Sequence, residues 1–205
     1  MYKIITDLEM CTNHKKNSFF NHEIIQIGAV AINEKGDFCG EFNTYVKPQF
    51  IKISSIIKKI TGISNAMVKD SPCFADALDD FLNWMDNFKE SVVYSWSNTD
   101  LLQIHKEAFV KKLITPRLME YIYSWVDFQR SFCFAVNSGN QIALSSALEM
   151  MSADVSGHMH SALDDAKNTA ILITKANEKF GEDIKTAPIC SYFKLPEKYP
   201  RKPST

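Results

Sequence analysis

The chain has 205 residues, with 23 Lys+Arg against 24 Asp+Glu for a formal net charge of -1, and is 45% hydrophobic and 23% charged. That balance excludes a strongly basic scaffold that coats nucleic acid through bulk charge. It leaves room for an enzyme that grips a few nucleotides in one cleft, and the length suffices for a core that folds without staples.

In chain order, residues 2–8 are short, β-rich and apolar and read as a strand, and residues 23–33 as a second. Gly36 and Asp37 mark a turn, and residues 38–47 read as a third strand, so the second and third form an antiparallel hairpin. Residues 51–64 are mixed, with a turn at Thr61-Gly62. Phe74, Ala77, Leu78, Phe81, Leu82, Met85 and Phe88 recur at helical steps, which predicts an amphipathic helix over 74–88 starting at Ser71-Pro72. Residues 91–96 read as a buried strand and 101–113 as a helix. Pro116 bounds the next segment, and 124–128 reads as a short strand. Residues 142–151 and 162–179 read as helices. A leading hairpin followed by alternating strands and helices predicts an α/β domain with a mixed sheet. Lys58-Lys59 and Lys111-Lys112 read as solvated helix faces. Residues 185–205 carry Lys185, Lys194, Lys198, Arg201 and Lys202 against only Glu197, with four prolines, and the segment over 181–205 reads as a basic tail.

Five cysteines, Cys11, Cys39, Cys73, Cys133 and Cys190, form an odd set at long spacings with no CxxC. This argues against a disulfide framework or a zinc cluster and for a reducing compartment. Asp7 interrupts the first apolar stretch too early for a signal peptide. The longest uncharged run, 131–148, holds Asn137, Ser138, Asn140 and Gln141 and is no membrane span. A soluble, cytoplasmic protein is expected.

Residues two apart on a strand share a face, so Asp7 and Glu9 present two carboxylates side by side at the end of the first strand. Such a pair repels itself unless a cation intervenes, and oxygen-rich sites suit Mg²⁺ or Mn²⁺. Asp100 follows a buried strand and opens a helix, where a cap would also place an acid. In His160-Ser161-Ala162-Leu163-Asp164-Asp165-Ala166, Ser161 and Asp164 have capping-box spacing, which starts a helix at Ser161. Asp165 then sits just off that helix's apolar stripe, with His160 ahead of the cap and His158 a neighbour of unsuitable spacing. Four carboxylates from three segments, with one histidine, are what two-metal phosphodiester hydrolysis needs: two cations on the acids, and an imidazole to take the proton of the attacking water.

Asp7-x-Glu9, then Asp100, then His160-x-Ala162-x-x-Asp165-Ala166 resembles the three motifs of the DEDDh (DnaQ-like) 3′–5′ exonucleases. His22-Glu23-Ile24-Ile25-Gln26-Ile27-Gly28-Ala29-Val30, Val46-Lys47-Pro48 and Thr61-Gly62-Ile63 look like further family segments. Tyr94-Ser95-Trp96 and Trp125-Val126-Asp127-Phe128 most resemble the Eri/KapD-like branch. The resemblance spans residues 2–179. Met10 stands where many members have Thr, and Ser97 where this branch often has Gly.

The resemblance implies an RNase H-like α/β fold, a mixed five-stranded sheet flanked by helices in a single domain over 1–180. It implies two Mg²⁺ or Mn²⁺ ions held by Asp7, Glu9, Asp100 and Asp165, with His160 as general base. It further implies stepwise release of nucleoside 5′-monophosphates from single-stranded or frayed 3′ ends, RNA slightly favoured over DNA, and it allows a homodimer. Met10, Trp96 and Phe20 are the substrate-contact expectations; Trp96 and Phe20 would stack on bases, although Trp96 also ends a buried strand. Two other readings stay open: a regulatory or interaction module on a nuclease fold, and a scavenger of short oligonucleotides, which near-zero charge suits.

Overall fold

The computed structural model describes residues 1–13, 21–155 and 157–181. The Phe19-Phe20 pair and the basic tail lie outside the described residues. Chain order is β1 (Tyr2–Thr12), β2 (His22–Ile32), β3 (Phe38–Tyr45), α1 (Ser55–Thr61), α2 (Asn65–Val68), α3 (Phe74–Met85), β4 (Ser91–Ser95), α4 (Thr99–Val110), α5 (Pro116–Ser124), β5 (Val126–Asp127), α6 (Phe128–Ala135), α7 (Leu144–Met150) and α8 (Ala162–Phe180).

The sheet runs β3-β2-β1-β4-β5. β1 and β3 flank β2 antiparallel, while β4 joins β1 and β5 joins β4 in parallel. The expected mixed five-stranded sheet is therefore present. Strand alternation sorts the apolar residues of β1 and β2 onto two faces. Ile4, Leu8, Ile27 and Ala29 pack with α3, α4 and α5, through Phe74, Leu78, Phe81, Leu101, Ile104, Leu118 and Ile122. Ile5, Val30 and Ile32 pack on the other side with α6, α7 and α8, through Phe132, Leu148, Ala166, Ala170 and Ile173. Among the described residues no helix is long and apolar enough to cross a membrane.

Several boundaries differ from expectation. α3 ends at Met85, and Phe88 beyond it packs edge-on against Trp84, 5.1 Å between ring centroids. Its N-cap is Cys73 rather than Ser71. The strand foreseen over 124–128 shrinks to Val126–Asp127, because Asp127 caps α6 by accepting from the Arg130 amide at 3.0 Å. Pro116 is the first residue of α5 rather than a mere boundary, behind a Thr115 hydroxyl that accepts from the Leu118 amide at 3.2 Å.

Lys111 is not on a solvated face. Its side chain is 10% exposed and its ammonium lies 2.7 Å from Glu107 and 3.2 Å from Glu23, whose side chains are 1% and 0% exposed. Glu23 also accepts from the amides of Gln49, Phe50 and Ile51, and Glu107 from that of Ile24. This network ties the end of α4 to the start of β2. Removing one member of a buried pair leaves its partners uncompensated, at about 3–5 kcal/mol. Lys111→Met is therefore expected to lower the thermal midpoint by many degrees, while Lys58→Met, on the exposed side of α1, leaves it within a degree or two; equal midpoints would contradict the buried network.

Candidate active site

β1 continues past the end of its pairing with β4, which stops at Ile5↔Tyr94. Beyond that point Ile5, Asp7 and Glu9 share the face that carries α8. The chain turns after β4 into α4, and Asp100, 5% exposed, reaches back so that its Oδ1 accepts from the Leu8 amide at 3.2 Å. An acid at the helix start thus takes the place that the next residue of a neighbouring strand would have filled. The β1–β2 pairing bulges after Glu9, where Glu9 faces Gln26 but Met10 faces Ile24.

The last acid arrives on α8, and what seats it differs from expectation. Ser161 is the N-cap, but its side chain makes no capping bond, so the Ser161–Asp164 capping box is not formed. The first amide of the helix, Ala162, instead donates to Gln26 Oε1 on β2 at 3.2 Å, and Gln26 Nε2 donates to Asn43 Oδ1 at 2.9 Å. Two residues on, Gly28 pairs with Asp7 in register. A Cβ at Gly28 would collide with the backbone of Ala162 and Leu163. Because it has none, α8 lies directly on β2, and Asp165 reaches the Asp7–Glu9 face. Asp165 is 7% exposed, and its Oδ2 accepts from the His160 amide at 3.0 Å. His160 is left-handed, at φ 66°, a conformation that costs a non-glycine residue energy and gathers at functional sites.

Ligand atoms of Glu9, His160 and Asp165 lie within 4.8 Å of one another. Burial, then the fields of Asp100, Asp165 and Glu9, hold the Asp7 carboxyl well above its usual range. Burial, then Asp165 and Asp100, push Glu9 up to about 8. Burial, then Asp127 and Asp165, push Asp100 up to about 7 against the opposing pull of the Leu8 amide. Burial also raises Asp165, while the His160 amide opposes it. Asp7, Glu9, Asp100 and Asp165 therefore feel one another as a single cluster. Asp165 Oδ1 is buried with no hydrogen-bond partner. Crowded, desolvated carboxyls, three of whose neighbouring groups offer ligand atoms within 4.8 Å of one another, are the environment a divalent cation relieves, so the residues present fit the expected metal ions.

These raised values set a pH dependence. A carboxyl whose folded value exceeds its unfolded one contributes stability in full below the unfolded value and loses it as pH climbs through the folded value. In chelator, the melting temperature is expected to fall from about pH 4.5 to about 8 on account of Glu9. Added Mn²⁺ should restore it at the alkaline end, since a ligand that binds only the folded state stabilises it. A chelated protein whose melting temperature stays flat across that window would contradict the cluster.

Trp96 is 8% exposed and packs against Phe128 and Phe132, ring centroids 6.2 and 5.8 Å away. That is a core position, which favours its strand-end reading over base stacking. Met10 is half-buried beside the bulge, against the α3–α5 side of the core. Phe20 lies outside the described residues. His158 is exposed and tied by its backbone amide to Asp164 Oδ2 at 3.0 Å. Residue patterns alone missed Gln26 and Gly28 as the seat of α8, and Asp127 as a further acid whose field reaches Asp100. Gln26 had one readable sign: a polar side chain on the second strand at the register of an expected metal ligand.

The RNase_T family of exonucleases matches residues 4–173. Human ERI1 exoribonuclease 2 is 29% identical over 198 residues, taking in 85% of this chain and 28% of the relative. The PolC-type DNA polymerase III of Caldanaerobacter subterraneus is 33% identical over 166 residues, 80% of this chain and 11% of the relative. The chain thus spans under a third of the length of these curated relatives. The nuclease domain of 3′hExo, a DEDDh family member bound to rAMP, shares the fold with a TM-score of 0.81 at 22% identity, over 91% of this chain and 96% of that one.

Proposed function

The chain belongs to the RNase_T exonuclease family, and from that premise we propose that it is a divalent-metal-dependent 3′–5′ exonuclease acting on single-stranded or frayed RNA 3′ ends. Residues 1–180 form the nuclease domain, and 181–205 are an appended basic tail. The carrying observation is the convergence of Asp7, Glu9, Asp100 and Asp165, with an orphaned Asp165 oxygen and the His160 imidazole within ligand reach of Glu9 and Asp165. Asp7, Glu9, Asp100 and Asp165 hold the cations. When bound, the cations supply the positive charge that acidifies the attacking water and stabilises the leaving 3′ oxygen. The His160 imidazole takes the water's proton as the oxygen attacks the terminal phosphorus. The bond from phosphorus to the preceding 3′ oxygen breaks, and a nucleoside 5′-monophosphate departs. Asp165 keeps the base in place through the His160 backbone, and Gln26 and Gly28 keep Asp165 in place through α8.

RNA is favoured over DNA because the human relative is named an exoribonuclease. The net charge of -1 supports a footprint of few phosphates. Matched 5′-labelled RNA and DNA strands, together with dinucleotides, with Mg²⁺, Mn²⁺ or chelator, test the proposal. Stepwise shortening of RNA from the 3′ end that chelator stops is the expected result. Equal or faster loss of DNA would overturn the RNA preference, dinucleotides as the preferred substrate would favour the scavenger reading, and no divalent-dependent release would overturn the nuclease reading.

A further inference from the structure

Two consecutive acids open α8, and each holds one backbone amide of the turn that carries His160. Asp165 Oδ2 accepts from the His160 amide and Asp164 Oδ2 from the His158 amide, both at 3.0 Å. Both ends of the turn are left-handed, Gly157 at φ 68° and His160 at φ 66°, and only at His160 does that conformation cost energy. A Cβ at residue 157 would collide with the Asp164 carboxylate, so that carboxylate is folded under the turn and fills the space a side chain there would need. The turn is closed further by the Ser161 amide, which donates to the His158 carbonyl at 3.2 Å. Asp165 has a second task, because its carboxyl also offers a ligand atom beside those of Glu9 and His160. Asp164 has no such task.

We propose that Asp164 is a positioning residue for His160: its carboxylate clasps the 157–160 turn and so fixes where the imidazole stands over Asp165. The inference rests on the reading of His160 as general base. A left-handed residue in an exposed turn persists only where its surroundings over-determine it, and Asp164 supplies the hold that does not depend on the cation-binding acid. A base displaced by a fraction of an ångström loses rate without losing substrate.

The test compares Asp164→Ala and Asp164→Asn with the wild-type chain. Asp164→Asn keeps an acceptor oxygen for the His158 amide and discards the charge. Four readouts are taken: hydrogen exchange of the His158 amide in chelator, the single-turnover rate on a 3′-labelled oligonucleotide, KM for that oligonucleotide, and the dissociation constant for Mn²⁺. Asp164→Ala is expected to exchange the His158 amide at least about tenfold faster and to turn over about tenfold slower, with KM and Mn²⁺ affinity within about twofold. Asp164→Asn is expected to restore most of both. Unchanged exchange, or faster exchange with an unchanged rate, overturns the proposal. So does an Asp164→Asn protein as slow as Asp164→Ala, since charge rather than the clasp would then matter. The exchange readout needs no catalysis: if His160→Ala left the rate intact, the base assignment would fail while the clasp would still be measured.

Discussion

Asp7→Ala is expected to abolish turnover, by more than about 10³-fold in single-turnover rate on a 3′-labelled strand. Asp7 is the acid that feels all three others: burial and the fields of Asp100, Asp165 and Glu9 raise its carboxyl. It pairs in register with Gly28, the residue on which α8 rests, so it lies where β1 and α8 meet. Taking it away removes one of the four proposed cation ligands and, in the same stroke, relieves repulsion within the metal-free cluster. The melting temperature in chelator is therefore expected to rise, even as activity vanishes and the stabilisation by Mn²⁺ shrinks. These opposite signs separate a functional acid from a structural one. An undiminished rate, or a chelated variant that melts lower than wild type, would remove Asp7 from the cluster's centre.

His160→Ala is expected to slow the chemical step by about 10²–10⁴-fold, the usual worth of a positioned general base. Mn²⁺ affinity should survive, because four carboxylates remain. The imidazole does lie within ligand reach of Glu9 and Asp165. Collapse of Mn²⁺ affinity in the variant would thus reassign His160 from base to ligand, and full activity would deny it either part.

Much of this architecture is written in local pattern. β1, β2 and β3 follow from apolar strand-length runs, and α3 and α8 from apolar residues at helical steps, because a face that must be buried leaves its period in the chain. The five residues proposed to carry the chemistry stand out in the chain through their motif spacing. What was not legible depends on partners far away in the chain. The first amide of α8, on Ala162, is taken by Gln26, 136 residues away. Lys111 resembles any solvated lysine until Glu23, 88 residues distant, folds against it. α6 is short, and the Asp127 carboxylate that caps it stands inside the segment read as a strand over 124–128. Asp164 carries no sign in its own neighbourhood that it would clasp a turn ahead of its helix.

The seat of α8 on bare Gly28 also orders events in time. Translation delivers Asp7, Glu9 and Asp100 early, while His160 and Asp165 emerge after most of the sheet and its first helices are already out. On the proposed chemistry, a half-made chain carries three of the four acids and no base. Asp165 and His160 join the Asp7–Glu9 face only once α8 seats on β2.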